Sequence, residues 1–186
     1  MQDRTRQFEL IALPHLDAAY NLARWLLRNE QAADDVVQES YLRALRYFKS
    51  FHGDNAKPWL LGIVRNACFT WLRDNRGAAQ TMEYDDERRS IDGDQDGNDG
   101  WPERSDRGPE QLLARKQDGA ALNAAIAALP SAFREVLILR ELEELSYEDI
   151  ARIAGIPAGT VMSRLYRARA LLRTALVGAA PTNGNG

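Results

Sequence analysis

The residues best suited to binding a partner lie in a basic segment near the end of the chain. Between Ile150 and Val177 the sequence holds five arginines and no acidic residue, although the whole chain carries a net charge of −3. Val161 and Leu165 are spaced i and i+4 and face a core, which leaves polar, basic and aromatic side chains pointing outward. The outward set is Thr160, Met162, Ser163, Arg164, Tyr166, Arg167 and Arg169. Because arginine reads guanine or binds phosphate, this segment indicates DNA binding.

Two predicted helices and a turn position these side chains. Ser146, followed three residues later by Asp149, resembles a capping box and predicts the start of a short helix. That helix ends in a turn at Gly155, and a last helix runs to about Val177. This pattern is typical of a helix-turn-helix, whose second helix enters the DNA major groove. A three-helix bundle with a solvated arginine face is the alternative.

A second candidate surface lies in the first half of the chain. Asp34, Asp35, Gln38 and Glu39 span just over one turn of a helix predicted from about Ala32 to Lys49. They form a mostly acidic patch above the apolar face of that helix. Solvation and matching of the acids to the helix dipole are the simpler explanation of such a patch.

The remaining pattern predicts an all-α fold. Apolar residues recur at three- and four-residue spacing from Phe8 to Leu27, and a third helix is expected from about Pro58 to Arg73. After residue 110 a further stripe ends at Pro130, and Ser131 is expected to cap the next helix. No alternating pattern predicts a strand. We expect two small helical domains, 1–76 and 110–177, and a disordered tail at 178–186.

The segment between the two domains has a different composition. Residues 77–110 hold eleven acidic residues and four arginines, with many Asp, Gly and Pro and little apolar material. Such a composition predicts a flexible acidic linker over 77–109. Its charge also suggests that it discourages DNA binding by the free protein, and a plain solubilising spacer is the alternative.

Composition argues against several other classes of protein. One cysteine, Cys68, and two histidines allow no internal disulfide and supply few metal ligands, so we expect no metal and no cofactor. No phosphate loop, nucleophile elbow or paired-acid site is present, so no catalytic residue is assigned and an enzyme is not expected. The polar start lacks a signal peptide and no apolar run is long enough to span a bilayer, which makes the cytoplasm the expected location.

Both halves of the chain resemble the bacterial sigma factors of the extracytoplasmic-function group, members of the sigma-70 family. Residues 33–44 (ADDVVQESYLRA) and the stretch 51–73 are similar to the family's region 2. Residues 129–139, 145–151 and 159–169 are similar to region 4, which contains the helix-turn-helix. Region 4 patterns alone occur in other regulators, but both patterns in this order are specific to the family.

The resemblance implies a promoter-specificity subunit that binds core RNA polymerase. The acidic patch of Asp34, Asp35, Gln38 and Glu39 would dock on the β′ clamp helices, and the polymerase β flap is a further expected contact. Region 2 would bind and melt the −10 element through Phe51, His52, Asn55, Arg65, Asn66 and Arg73.

Region 4 would bind the −35 element through the outward set of the last helix. Ser163 and Arg167 match family positions near base edges, and Arg164 and Arg169 resemble phosphate anchors. An anti-sigma factor is an expected partner of such a protein. A stand-alone helix-turn-helix regulator that never touches polymerase is the alternative function, although it would not need the acidic patch or Asn66.

Overall fold

The computed structural model describes residues 2–75 and 109–178, with side chains for 3–75 and 119–178, and all regular secondary structure in these residues is helical. A first group of helices comprises α1 (Gln2–Ala12), α2 (Leu16–Leu27), α3 (Glu30–Tyr47) and α4 (Ala56–Asp74). A second group comprises α5 (Pro109–Ala128), α6 (Ser131–Leu137), α7 (Tyr147–Ala154) and α8 (Ala158–Gly178). The expectation of an all-α fold is confirmed. The predicted linker, apart from Pro109, and the predicted tail after Gly178 lie outside the described residues.

Polar side chains at helix starts account for several boundaries. The Asn29 carboxamide accepts a hydrogen bond from the Ala32 backbone N–H at 3.0 Å, so α3 begins two residues before the predicted start. Ser146 Oγ accepts from the Asp149 N–H at 3.1 Å, which confirms the predicted cap of α7. That helix ends at Gly155, whose φ of 68° lies in the left-handed region that glycine adopts without strain.

Two local expectations are wrong. The apolar stripe from Phe8 to Leu27 predicts a single first helix, but a 3₁₀ turn at Leu13–His15, which contains Pro14, separates α1 from α2. Ser131 does not cap α6, since Pro130 occupies the cap position and no side chain bonds there. Beyond α6 the helix widens into a π segment at Ile138–Leu142, where the Glu143 N–H donates to the Ile138 carbonyl at 3.1 Å.

Helix α6 lies at the centre of the molecule and joins the two groups. It packs against α2 of the first group and α8 of its own, while α4 packs against α7. One apolar core therefore runs through both groups, with Leu22 and Val64 on one side and Val136 and Ile150 on the other. A smaller cluster around Phe8 and Leu60 holds α1, α3 and α4 together. The sequence predicted two separate domains and did not predict this shared core.

Candidate polymerase and promoter surfaces

The acidic patch lies on the solvent face of α3. Asp35, Gln38 and Glu39 are exposed and Asp34 is half-buried, while Val36 and Val37 on the opposite face enter the core. The Gln31 amide donates to Asp35 Oδ1 at 3.4 Å. The three exposed side chains of the patch are open to solvent. The four residues that the sequence grouped are therefore brought together on one accessible surface.

An aromatic cluster supports the loop between α3 and α4. Phe51 packs on Trp59 with ring centroids 4.9 Å apart, and Phe48 lies 6.3 Å from Phe51. Above this cluster is an open cleft of about 580 Å³, lined in part by His52 and Asn66. A preformed cleft with an aromatic floor and an exposed carboxamide has the features that hold an extruded base.

The remaining predicted −10 residues differ in what they contact. The Asn55 carboxamide accepts from the Lys57 N–H at 3.2 Å, so its oxygen caps α4. Arg73 is exposed at the end of α4, where it lies 3.7 Å from the equally exposed Asp74. Arg65 donates to Asn66 Oδ1 at 3.5 Å and lies over the ring of Phe69, while its ion pair is made with Glu135 of the second group. These positions lie on or beside α4, as expected, but only some of them face solvent.

The outward face of α8 is partly apolar. Tyr166 and Met162 are 65% and 52% exposed, and Ser163 between them donates to the Thr160 carbonyl at 3.1 Å. Arg167 is half-buried beside them. Val161 and Leu165 are buried as predicted, which confirms the orientation of the helix.

Arg164 does not belong to that outward face, and this expectation is wrong. Its side chain is 15% exposed, and Nη1 lies 4.0 Å from Oε1 of the buried Glu135. Arg169 pairs with Glu141 of the π segment at 2.5 Å, so its charge is already compensated. The resemblance implied that both arginines bind phosphate, but each meets an acid on another element.

The described residues include three polar contacts that cross between the two groups of helices. Arg65 donates to both carboxylate oxygens of Glu135, at 2.7 and 3.1 Å. Lys57 Nζ lies 3.1 Å from Glu143 Oε2 and donates to the Glu143 carbonyl at 2.9 Å. Arg134 Nη1 donates to the carbonyl of Trp25, at the end of α2, at 2.8 Å. We call these three contacts the interdomain latch.

Burial changes the acid–base properties of the latch and its neighbours. Desolvation raises the pKa of Glu135, whose side chain is 1% exposed, and the bonds from Arg65 oppose that shift. Desolvation lowers the pKa of Arg134 to about 10, which leaves it cationic at neutral pH. Burial also raises the pKa of the Cys68 thiol to about 12, so this cysteine is not a nucleophile in the folded chain.

The latch residues were missed by sequence reasoning, although a signal existed. Arg134 and Glu135 stand inside a run of apolar residues from Phe133 to Leu139, and all of these are buried. A helix that is apolar on every face is enclosed by its neighbours, so charged residues within it need partners from other elements. The pattern could have predicted that Glu135 is buried and ion-paired. It could not have predicted that the partner is Arg65, 70 positions away in the chain.

No helix in 2–75 or 109–178 is long and apolar enough to cross a membrane. Among the same described residues, no three His, Cys, Asp or Glu side chains come together as metal ligands.

The chain is similar to proteins of one family in both halves. The sigma-70 region 2 family matches residues 11–78, and the sigma-70 region 4 family matches residues 119–172. RNA polymerase sigma-H factor of Pseudomonas aeruginosa is 34% identical over 174 residues, covering 92% of this chain and 86% of the relative. The sigma factor SigE of Mycolicibacterium smegmatis is 32% identical over 159 residues, covering 86% of this chain and 57% of the relative.

A solved structure has the same arrangement of helices. The sigma factor RpoE of Bartonella quintana, crystallised with the anti-sigma factor NepR, matches with a TM-score of 0.65 and 27% identity. The match covers 97% of this chain and 100% of that chain.

Proposed function

This chain belongs to the extracytoplasmic-function group of sigma-70 family RNA polymerase sigma factors, and we propose how its two helical groups divide the task of promoter recognition. The first group docks on core polymerase through α3 and binds the −10 element beside α4. The second group binds the −35 element through α8. The observation that carries this proposal is the face of α3, which exposes Asp35, Gln38 and Glu39 while it buries Val36 and Val37.

Docking on polymerase is supported by the chemistry of the α3 face. Its acids are solvated and mutually close, so a basic partner surface gains charge-assisted contacts without opening the core. Helix α3 is also held rigidly, since its other face packs on α2 and α4. The partner we propose is the pair of clamp helices in the β′ subunit, with the β flap contacting the second group.

Binding of the −10 element is supported by the cleft above Phe51 and Trp59. An extruded base there stacks on an aromatic floor, and the exposed Asn66 offers both a donor and an acceptor to the base edge. His52 also lines the cleft. Asn55 acts through its cap on α4, which orients the loop, and does not need to touch DNA itself.

Recognition of the −35 element is supported by the exposed part of α8. Thr160, Ser163 and Arg167 offer hydrogen-bonding groups, and Met162 and Tyr166 offer apolar and aromatic contact in the major groove. Arg169 reaches phosphate only if it exchanges Glu141 for DNA. The protein is proposed to act in the cytoplasm without catalytic activity of its own. An anti-sigma factor is its proposed regulator.

The docking role is tested by reversing charge on α3. We expect Asp35→Lys with Glu39→Lys to weaken binding to core polymerase by at least thirtyfold, since two charged contacts of about 1 kcal/mol or more each are lost. Both residues are exposed, so circular dichroism and the melting temperature stay unchanged.

The matched control is Asp3→Lys with Glu9→Lys on α1, where the exposed acids are the same in number but lie on another helix. It keeps its affinity for core polymerase. Equal affinities for wild type, the α3 variant and the control in a titration would remove α3 from the proposed interface. No binding by the wild type would favour a regulator that does not bind polymerase.

A further inference from the structure

The outward side of α8 carries a short apolar ridge. Met162 and Tyr166 are spaced i and i+4, so they lie one above the other on the same side of the helix. They are 52% and 65% exposed. The residues directly before them, Val161 and Leu165, are buried in the core and fix the direction in which the ridge points. We call Met162 and Tyr166 the apolar ridge.

Two of the arginines beside the ridge are engaged by acids of other elements. The side chain of Arg164 is 15% exposed, and its Nη1 lies 4.0 Å from Oε1 of Glu135. Arg169 pairs with Glu141 at 2.5 Å. Arginine is the side chain that reads the two acceptors of guanine in the major groove. Because both cations are drawn toward acids, the surface around Met162 is apolar and suits a base edge that is itself apolar.

Ser163 adds a hydrogen-bond acceptor beside the ridge. It is exposed, and its Oγ donates to the Thr160 carbonyl at 3.1 Å, so the remaining lone pair of that oxygen accepts from a partner. In the major groove an A·T pair offers the amino donor of adenine together with the C5-methyl group of thymine. A G·C pair also offers an amino donor, on cytosine, but no methyl group. An acceptor next to an apolar side chain therefore matches an A·T pair.

We propose that Met162 is a specificity-determining residue that recognises the C5-methyl group of a thymine in the −35 element, with Tyr166 contacting the same stretch of DNA. The proposal rests on the function proposed above for α8 and adds the base that the helix prefers. Methionine suits this role because its unbranched, polarisable side chain adapts to the shape of a methyl group. The two ridge residues lie about 6 Å apart along the helix axis, close to two base-pair steps of about 3.4 Å, so both reach one element.

A promoter selected by the protein itself provides the DNA for the test. Core polymerase of the source organism is loaded with the full chain, and bound duplexes are recovered from a randomised pool over repeated rounds. We expect the enriched −35 element to include an A·T pair that no other base pair replaces.

Deoxyuridine then isolates the methyl group. It lacks only the C5-methyl of thymidine and pairs with adenine in the same way, so each thymine of the selected −35 element is replaced in turn. Affinity for the loaded polymerase is measured by competition at a fixed salt concentration. We expect about fourfold weaker binding at one position, which is the effect of losing one buried carbon group. The same replacement in the spacer between the two elements leaves the affinity unchanged.

Variants of α8 identify the side chain that senses the methyl group. We expect Met162→Ala to bind the thymine and deoxyuridine promoters equally, because the contact with the methyl group is already lost. Met162→Leu provides an apolar side chain of similar size and is expected to keep the preference for thymine. The matched control is Leu171→Ala, which shortens a 45% exposed apolar side chain on the opposite side of the same helix and keeps the wild-type preference.

The outcomes separate this inference from the function on which it rests. Equal affinity for thymine and deoxyuridine at every −35 position overturns the inference, and so does a preference that Met162→Ala retains. In both cases the proposed function of α8 stands, since a −35 element was selected. A selection in which the wild-type chain enriches no common −35 element refutes the proposed function of α8, and the inference falls with it. Melting temperatures are measured alongside, and we expect them to match the wild type because Met162 and Leu171 are exposed.

Discussion

Replacing Arg65 with methionine removes one charge from the buried pair and keeps most of the side chain's apolar length. In the native chain Arg65 donates twice to Glu135 and lies over the ring of Phe69, with 4.2 Å between the guanidinium carbon and the ring centroid. Methionine retains the contact with the ring but leaves Glu135 buried with only Arg164 near it, at 4.0 Å. We expect the full chain to lose stability at neutral pH.

The size of the loss follows from the burial of the two partners. Removing one member of a fully buried pair costs about 3–5 kcal/mol, because the other charge is left desolvated. Glu135 is 1% exposed, but Arg65 is 20% exposed and Arg164 still compensates part of the charge, so the loss falls at or below the lower end of that range. We expect a loss of about 2–3 kcal/mol, which corresponds to roughly 5–10 °C in melting temperature for a chain of this length.

The loss depends on pH in a direction that the burial of Glu135 determines. Desolvation already raises the pKa of this carboxyl above its unfolded value, and loss of Arg65 raises the pKa further. The folded chain then holds the proton more tightly than the unfolded chain, so the penalty is absent below the unfolded pKa and grows as pH rises through the folded pKa. Urea unfolding of wild type and Arg65→Met between about pH 5 and pH 8 measures this trend.

Two further variants decide whether the reasoning is right. Arg73→Met lies on the same helix at a side chain that is 66% exposed, so we expect a change within about 0.5 kcal/mol. Arg65→Met combined with Glu135→Leu replaces the pair with apolar groups, and we expect it to recover most of the loss. Equal effects of Arg65→Met and Arg73→Met, or a loss that grows as pH falls, would refute the role assigned to the buried pair.

The remaining predictions concern single residues. Ser146→Ala removes the cap of α7 and is expected to cost about 1 kcal/mol in urea unfolding; an unchanged midpoint would contradict the cap. Cys68, with its thiol pKa raised to about 12, is expected to resist Ellman's reagent at about pH 8 until the chain unfolds, so rapid labelling of native protein would contradict its burial. Arg167→Ala is expected to lose about 1–3 kcal/mol at the −35 element with little change in melting temperature. Arg164→Ala is expected to lower the melting temperature instead, because the arginine packs beside Glu135, and differential scanning calorimetry separates the two variants.

Much of the candidate site could be predicted from spacing alone. The acids of α3 lie on one exposed face because residues one helical turn apart share a side, and Val36 and Val37 identify the buried side. The orientation of α8 follows in the same way from Val161 and Leu165. Spacing alone predicted the wrong orientation for Arg164. Its side chain lies at the edge of the outward face and turns toward Glu135, which belongs to another helix.

The sequence by itself determined the local structure: the all-α fold, the cap at Ser146, the turn at Gly155 and the faces of α3 and α8. These depend on interactions between residues a few positions apart, which a linear pattern contains. Only the tertiary structure decided that α6 is enclosed on all sides and that Arg65 meets Glu135. Apolar periodicity records that a face is buried but not what buries it, so the pairing of two helical groups across a long connection becomes visible only when their surfaces meet.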